Sequence, residues 1–173
     1  MFSVKRLGID FFSRDVLVVA PGLLGKYLVR VMNDGTVARH VITEVEAYRG
    51  EEDLACHASK GRTRRTEIMY ARGGHLYVYM IYGMYWMINI VTGLPGDPQA
   101  ALIRGLQDMS GPGRISRYLS VDGSFNGLDL TDSDCMWLED PGTVPDYLAT
   151  TRIGIDYAGE NWKLKPWRFI INA

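Results

Sequence analysis

Lys26-Tyr-Leu-Val-Arg-Val-Met-Asn-Asp-Gly-Thr-Val-Ala-Arg-His-Val-Ile-Thr-Glu-Val-Glu-Ala-Tyr48 holds two runs rich in β-branched and aromatic residues, 26–32 and 37–48, separated by Asn33-Asp34-Gly35. Such runs favour extended backbone, and Asn-Asp-Gly supplies the positive φ that a tight hairpin turn needs. Two antiparallel strands follow. Period two on the second strand sets Glu44, Glu46 and Tyr48 on one face and Val41, Thr43, Val45 and Ala47 on the other. The first face places a carboxylate beside a phenol; the second is made to be buried.

Outward from this pair, Gly73-Gly74 opens an aromatic ribbon over 75–91, which contains Tyr77-Val-Tyr-Met-Ile-Tyr-Gly-Met-Tyr-Trp86 and folds at Tyr82-Gly83-Met84. Residues 99–106 read as a buried strand, and Gly111-Pro112-Gly113 leads into a helix through Leu119. Ser13 is expected to cap a helix over 14–24 that Pro21 and Gly22 bend or end, and Thr63 to cap a short helix over 64–70. The polar stretch 49–61 reads as a long surface loop that returns His57 to the fold. Residues 152–155 and 167–171 read as late strands, and 120–146 as irregular surface with short strands. Neither an internal repeat nor a low-complexity linker interrupts the chain.

The sequence has 173 residues and is 47% hydrophobic, enough for one sizeable core, so a single domain over 1–173 is expected. Its net charge of −1 advertises no polyanion partner, which confines any nucleic-acid contact to a local patch. Cys56 and Cys135 form no CxxC pair and fit a reducing compartment better than a disulfide framework. No targeting segment is visible near the N-terminus and no apolar run approaches the length of a membrane span. The location expected is therefore cytoplasmic (the bacterial nucleoid), or nuclear in a eukaryote.

The residue types suggest chemistry where they cluster. An isolated glutamate on a strand usually belongs to a solvated face, and a lone loop histidine to the surface, but Glu46 has Tyr48 on its own face and His57 able to fold back on it. Across the ribbon, Tyr79 falls opposite Asn89 or one diagonal away, and Asn89 between Ile88 and Ile90 must find hydrogen bonds or incur desolvation of about 1–3 kcal/mol. Tyr82 at the turn adds little to a core and has the shape of a wedge for a groove. Lys60, Arg62, Arg64, Arg65 and Arg72 stand against only Glu67 just before the ribbon; such a run is usually a solvated face, but if the ribbon tip enters a groove these side chains are placed to meet the flanking phosphates. Arg104, in an apolar run, must pair with a carboxylate or a ligand. Glu44, Glu46, His57 and His75 match no metal-ligand spacing, and no phosphate-binding loop or dinucleotide fingerprint is present, so neither metal nor cofactor is expected.

These residues closely resemble those of the alkyladenine, or methylpurine, DNA glycosylase family. The likeness runs from Leu24-Gly25 through Glu44-x-Glu-Ala-Tyr48, the Tyr77 to Tyr85 ribbon and Gly111-Pro112 to Arg152-Ile-Gly154, Ala158-Gly-Glu160 and Lys165-Pro-Trp-Arg-Phe169. The resemblance implies an α+β fold: one mixed domain with a curved antiparallel β-sheet, flanking helices and a protruding β-hairpin that enters the DNA minor groove. It implies that Glu46 is the catalytic base that activates water; that Tyr48, His57 and Tyr79 wall a pocket for a flipped base; that Asn89 crowds the amino group of guanine; and that Tyr82 plugs the duplex while Arg104 contacts the backbone. Arg62, Arg64 and Arg65 are the expected phosphate contacts. Departures are small: no long basic extension precedes the first motif, and Trp86 and Met87 occupy variable positions.

The reaction expected is hydrolysis of the N-glycosidic bond of alkylated or deaminated purines (3-methyladenine, 7-methylguanine, hypoxanthine, ethenoadenine) in double-stranded DNA, by a monomer without a lyase step. The competing reading is a non-catalytic module that stacks bases on its tyrosines, with Glu46 merely paired to Arg104. A metal-assisted nucleotide hydrolase is a third.

Overall fold

The computed structural model describes residues 4–172; residues 1–3 and 173, the ends of the expected domain, lie outside them. In chain order the strands are β1 (Lys5–Arg6), β2 (Tyr27–Val31), β3 (Val37–Arg49), β4 (Leu76–Ile81), β5 (Tyr85–Val91), β6 (Gln99–Leu106), β7 (Met109–Ser110), β8 (Met136–Asp140), β9 (Tyr147–Thr150) and β10 (Arg168–Ile171). The helices are α1 (Ile9–Phe12), α2 (Val16–Leu23), α3 (Pro112–Tyr118) and α4 (Glu160–Lys163). The sheet is open, runs in the order β1-β8-β2-β3-β6-β5-β4, and takes β10 against β3, with β9 beyond it. All its pairings are antiparallel. The result is a mixed α+β domain, as expected.

Alternation along the central strands separates a core face from a second, aromatic face. Val45 and Ala47 of β3, Ile88 and Ile90 of β5, and Ala101 and Ile103 of β6 pack with Val16, Val19 and Leu23 of α2 and Ile115 of α3. Full burial of each large aliphatic side chain contributes roughly 1.5–3 kcal/mol, which fixes the register of these strands. The residues between them, Glu46 and Tyr48, Met87 and Asn89, Leu102 and Arg104, are thereby turned the other way.

Several local expectations are corrected. The β3–β6 register shifts between Ile42 and Glu44 and shifts back between Glu44 and Val45, and the strand changes phase across this irregularity: Ile42 enters the core with Val45 and Ala47, whereas Val41 and Thr43 remain half-buried and do not share that face. The cap of α2 is Asp15, whose carboxylate accepts from the Leu17 amide at 2.9 Å, while Ser13 ends α1. Pro21 lies inside α2, which ends at Leu23. Residues 64–70 give a 3-10 turn over Glu67–Tyr70 that follows Thr66, with no side-chain cap. The strand expected at 152–155 lies earlier, at β9, and 152–155 has no regular structure. Nor is 49–61 a surface loop throughout: Asp53, Ala55, Cys56 and Ala58 are buried.

The β4–β5 hairpin closes through the three residues Tyr82, Gly83 and Met84 between the paired Ile81 and Tyr85; Tyr82 and Gly83 both take positive φ (52° and 63°), and the Met84 amide donates to the Ile81 carbonyl at 3.1 Å. Helix α3 packs against its base because Gly113 has no side chain; a Cβ there would meet the Tyr85 ring at 2.7 Å. Trp86 turns towards Gly123 and the core, away from the aromatic face, whereas Met87 lies on that face.

Candidate active site

On the aromatic face an open cavity of about 620 Å³ is lined by Tyr48, His57, Tyr79, Tyr82, Asn89 and Arg104, with Tyr77, Met87, Ile153 and Tyr157 completing much of the wall. Six of the expected site residues thus come together from β3, β4, β5, β6 and the loop after β3. Tyr77 pairs with Asn89 in register, which leaves Tyr79 one diagonal away from it. The Asn89 amide donates to the Tyr77 carbonyl at 3.1 Å, so the buried polar side chain is satisfied within its own hairpin and held in one orientation.

Glu46 stands one layer behind this wall. It has no exposed surface and does not line the cavity itself. Three cavity residues hold its carboxylate: the Tyr48 hydroxyl donates to Oε2 at 2.8 Å, the Ile153 amide donates to Oε1 at 2.7 Å, and Arg104 Nε lies 3.6 Å from Oε1. Burial pushes the Glu46 carboxyl above its ordinary value, opposed first by the Arg104 charge and then by the Ile153 and Tyr48 hydrogen bonds. Arg104 is shared, since its Nε lies 3.4 Å from Glu44 Oε1, and Arg168 also donates to that oxygen at 2.9 Å. Arg104 makes no hydrogen bond through Nε, so its charge is steered by two carboxylates and fastened to neither.

Apart from Arg104, the tyrosine and histidine walls are neutral. Burial raises the Tyr48 and Tyr79 phenols, and Tyr77 to about 12, so all three stay protonated near pH 7. His57 Nδ1 is 2.7 Å from the Tyr77 hydroxyl and its ring packs edge-on against Tyr79 at 4.5 Å between centroids. Burial, with Arg65 nearby, lowers His57 from 6.5 to about 4, so it is uncharged at neutral pH. A depressed histidine contributes stability above its unfolded value, and that stability is lost as pH falls through the folded one. The stability lost between pH 6.5 and 4 is therefore expected to shrink in His57→Gln, as read by urea unfolding at stepped pH; identical slopes for the two proteins would contradict it. Cys56, also in the wall, is pushed up to about 12 and holds little thiolate.

The basic run is divided. Arg62 is tied to Glu67 at 2.6 Å and Arg72 to Asp129, which leaves Lys60, Arg64 and Arg65 exposed without a carboxylate partner among the described residues. Arg65 lies over the ring of Tyr79, a cavity residue, 5.1 Å from its centroid. Tyr82 is 85% exposed at the hairpin tip and still borders the cavity.

Sequence reasoning missed four participants. Tyr77 shares the alternation of Tyr79 and was legible from it. Ile153 and Tyr157 come from a segment whose approach no periodicity announces. Arg152, beside them, forms a buried bidentate pair with Asp53, Nη1 to Oδ2 at 2.6 Å and Nη2 to Oδ1 at 3.0 Å.

The profile of the methylpurine-DNA glycosylase (MPG) family matches residues 10–109 and 105–173. A protein of Methanocella arvoryzae is 43% identical over 92% of this chain and 89% of its own length. One from Rickettsia felis is 41% identical over 94% and 90%, and one from Legionella pneumophila strain Corby 41% over 97% and 95%. All three carry the name "putative 3-methyladenine DNA glycosylase". No helix among the described residues is long and apolar enough to cross a membrane. With a buried carboxylate behind an aromatic cavity, and a family profile that spans nearly the whole sequence, the chain belongs to the methylpurine-DNA glycosylase family and is a hydrolytic DNA glycosylase.

Proposed function

We propose that the protein acts as a monomer on duplex DNA, flips an alkylated or deaminated purine into the aromatic cavity, and hydrolyses its glycosidic bond with a water activated by Glu46. The observation that carries this reading is the Glu46 carboxylate, wholly buried and held by three residues of the cavity wall. An ionised carboxylate offers about four acceptor positions, and the Tyr48 and Ile153 bonds use two. The others carry no hydrogen bond, and a water admitted past the Tyr48, Arg104 and Ile153 layer would give them its proton as it attacks an oxocarbenium-like centre. A lyase step would need an amine nucleophile, and among the described residues no lysine lines the cavity, so the reaction proposed is hydrolysis to an abasic site.

Tyr48, His57 and Tyr79 offer ring faces and edges to a flat base, and cation–π attraction of about 0.5–2 kcal/mol favours a cationic alkylpurine. Steric exclusion by Asn89, whose amide cannot rotate without losing its bond to the Tyr77 carbonyl, disfavours the 2-amino group of guanine. 3-Methyladenine, 7-methylguanine, hypoxanthine and ethenoadenine are the substrates proposed. Flipping itself adds selectivity, since damaged or mispaired bases are easier to unstack.

At the hairpin tip Tyr82 enters the minor groove and fills the space the base leaves. Tyr82→Ser is expected to weaken binding to a lesion duplex by roughly tenfold, about 1–3 kcal/mol for a stacked aromatic, with an unchanged melting temperature. Equal affinity in a fluorescence titration would remove Tyr82 from that role. Lys60, Arg64 and Arg65 are the proposed phosphate contacts. Binding should weaken as salt rises, and Arg64→Ala/Arg65→Ala should lower the slope of log K against log salt by about two, near 0.9 per phosphate contact. An unaltered slope would put this patch off the DNA.

The test of the whole reading is single-turnover release of base, in EDTA, from an alkylated duplex and from a duplex containing hypoxanthine. Release by the wild type establishes the substrate class. Tight binding of both duplexes without release would favour a stacking module instead.

A further inference from the structure

We propose that the buried Asp53–Arg152 ion pair is a positioning device that holds the Ile153 amide on the Glu46 carboxylate. The inference rests on the reading of Glu46 as the general base. Residues 151–155 belong to no strand or helix, so no ladder of backbone bonds aims the Ile153 N–H that lies 2.7 Å from Glu46 Oε1. The segment is held at its start by Arg168, which donates to the Thr151 carbonyl at 2.8 Å, and next to Ile153 itself by the Arg152 side chain.

The Arg152 and Asp53 side chains have no exposed surface. A buried pair of this kind adds little stability compared with a well-packed apolar substitute, because removing both charges from water is costly. Its particular asset is direction. Arg152 reaches both Asp53 oxygens, and its Nη1 also donates to the Ala47 carbonyl at 3.0 Å, the residue after Glu46 on β3. Its guanidinium lies 4.9 Å from the Tyr48 ring centroid and 5.0 Å from that of Trp167. Asp53 is held in turn by the Arg49 and Ala55 amides at 3.1 and 3.0 Å. One ion pair therefore ties together the strand that bears Glu46, the loop that bears His57 and the segment that donates to Glu46.

The groups that act on the Glu46 charge are Tyr48 on β3, Arg104 on β6, Tyr79 on β4, Tyr157, and Arg152 with the Ile153 amide. Arg168, opposite Glu46 on β10, is bound to Glu44 and to the Thr151 carbonyl. Of these groups, the Arg152–Ile153 segment is the one bound directly to the Asp53 carboxylate, through the Arg152 side chain.

The experiment compares wild type, Glu46→Gln, Arg152→Lys and the double variant Asp53→Asn/Arg152→Gln, which exchanges the ion pair for a neutral amide pair and strands no charge. Single-turnover release of hypoxanthine is followed from pH 4 to 9 beside binding of the same duplex. In the double variant the maximal rate should fall on the order of 100-fold, as for a displaced reacting group, with binding little changed and the acid limb moved to higher pH. Arg152→Lys, which keeps the charge but cannot span both Asp53 oxygens and Ala47, should show a smaller loss and the same direction of shift. A folded double variant with wild-type rate and acid limb overturns the inference. Should that variant not fold, a folded Arg152→Lys of wild-type rate and limb overturns it equally. If Glu46→Gln releases base as fast as wild type, it is the general-base reading that fails.

Discussion

Glu46→Gln is expected to bind a hypoxanthine duplex about as tightly as wild type and to lose base release by about 10² to 10⁴-fold, the range for removal of a general base. Glutamine keeps the shape: its carbonyl can accept from the Ile153 amide while its NH₂ donates to the Tyr48 oxygen, so the wall is not disturbed. The proton acceptor alone is removed. The wild-type rate should also fall as pH drops through the Glu46 value, which burial has raised above that of an ordinary glutamate. A carboxylate whose folded value is raised contributes stability below its unfolded value and loses it as pH rises through the folded one. Ionised Glu46 therefore weakens the fold at neutral pH, and Glu46→Gln should melt at pH 7 at least as high as wild type. A variant that both unfolds early and loses DNA binding would make Glu46 a structural residue.

Asp53→Ala should produce the largest loss of stability of any single substitution at the site. The alanine leaves the Arg152 guanidinium buried with no anion, and breaking such a pair from one side costs roughly 3–5 kcal/mol. For a chain of this size the fall in melting temperature is on the order of 10 °C. The Arg49 and Ala55 amides lose their acceptor at the same time, which loosens the loop that bears His57. By contrast Arg62→Ala breaks an ion pair between exposed side chains and should shift the melting temperature by little, since surface pairs contribute about 0–1 kcal/mol. Thermal melts of the two variants side by side check the contrast. An Asp53→Ala protein as stable as Arg62→Ala would mean that Arg152 reaches water or another anion.

Much of the sheet was legible because strands of this type write their burial into alternation. The pattern at 99–106 matched β6 in full, and 26–48 and 75–91 resolved into hairpins with their turns in place. Errors gathered where one residue changes the outcome. The register irregularity around Glu44 shifted the phase of β3, and no propensity marks such a break in a run of β-branched residues. Caps went to Ser13 and Thr63, although Asp15 and Thr66 hold those positions, because several good capping types stood within three residues of one another.

For the site, Glu46, Tyr48, Tyr79, Tyr82 and Asn89 could be placed from two local patterns, each set by the two-residue repeat of a strand. That repeat acts through steric geometry within a few residues, which is why the sequence by itself determined the two hairpins, the faces that Tyr48 and Tyr79 take and the family to which the chain belongs. Tertiary structure alone decided that Glu46 lies behind the cavity wall instead of in it, and that Arg62 and Arg72 are already bound. It alone brought Arg152 and Ile153, more than a hundred residues downstream, to the carboxylate. Those choices depend on which charges meet after the core has closed, and desolvation and pairing are properties of that assembled neighbourhood, not of any segment of chain.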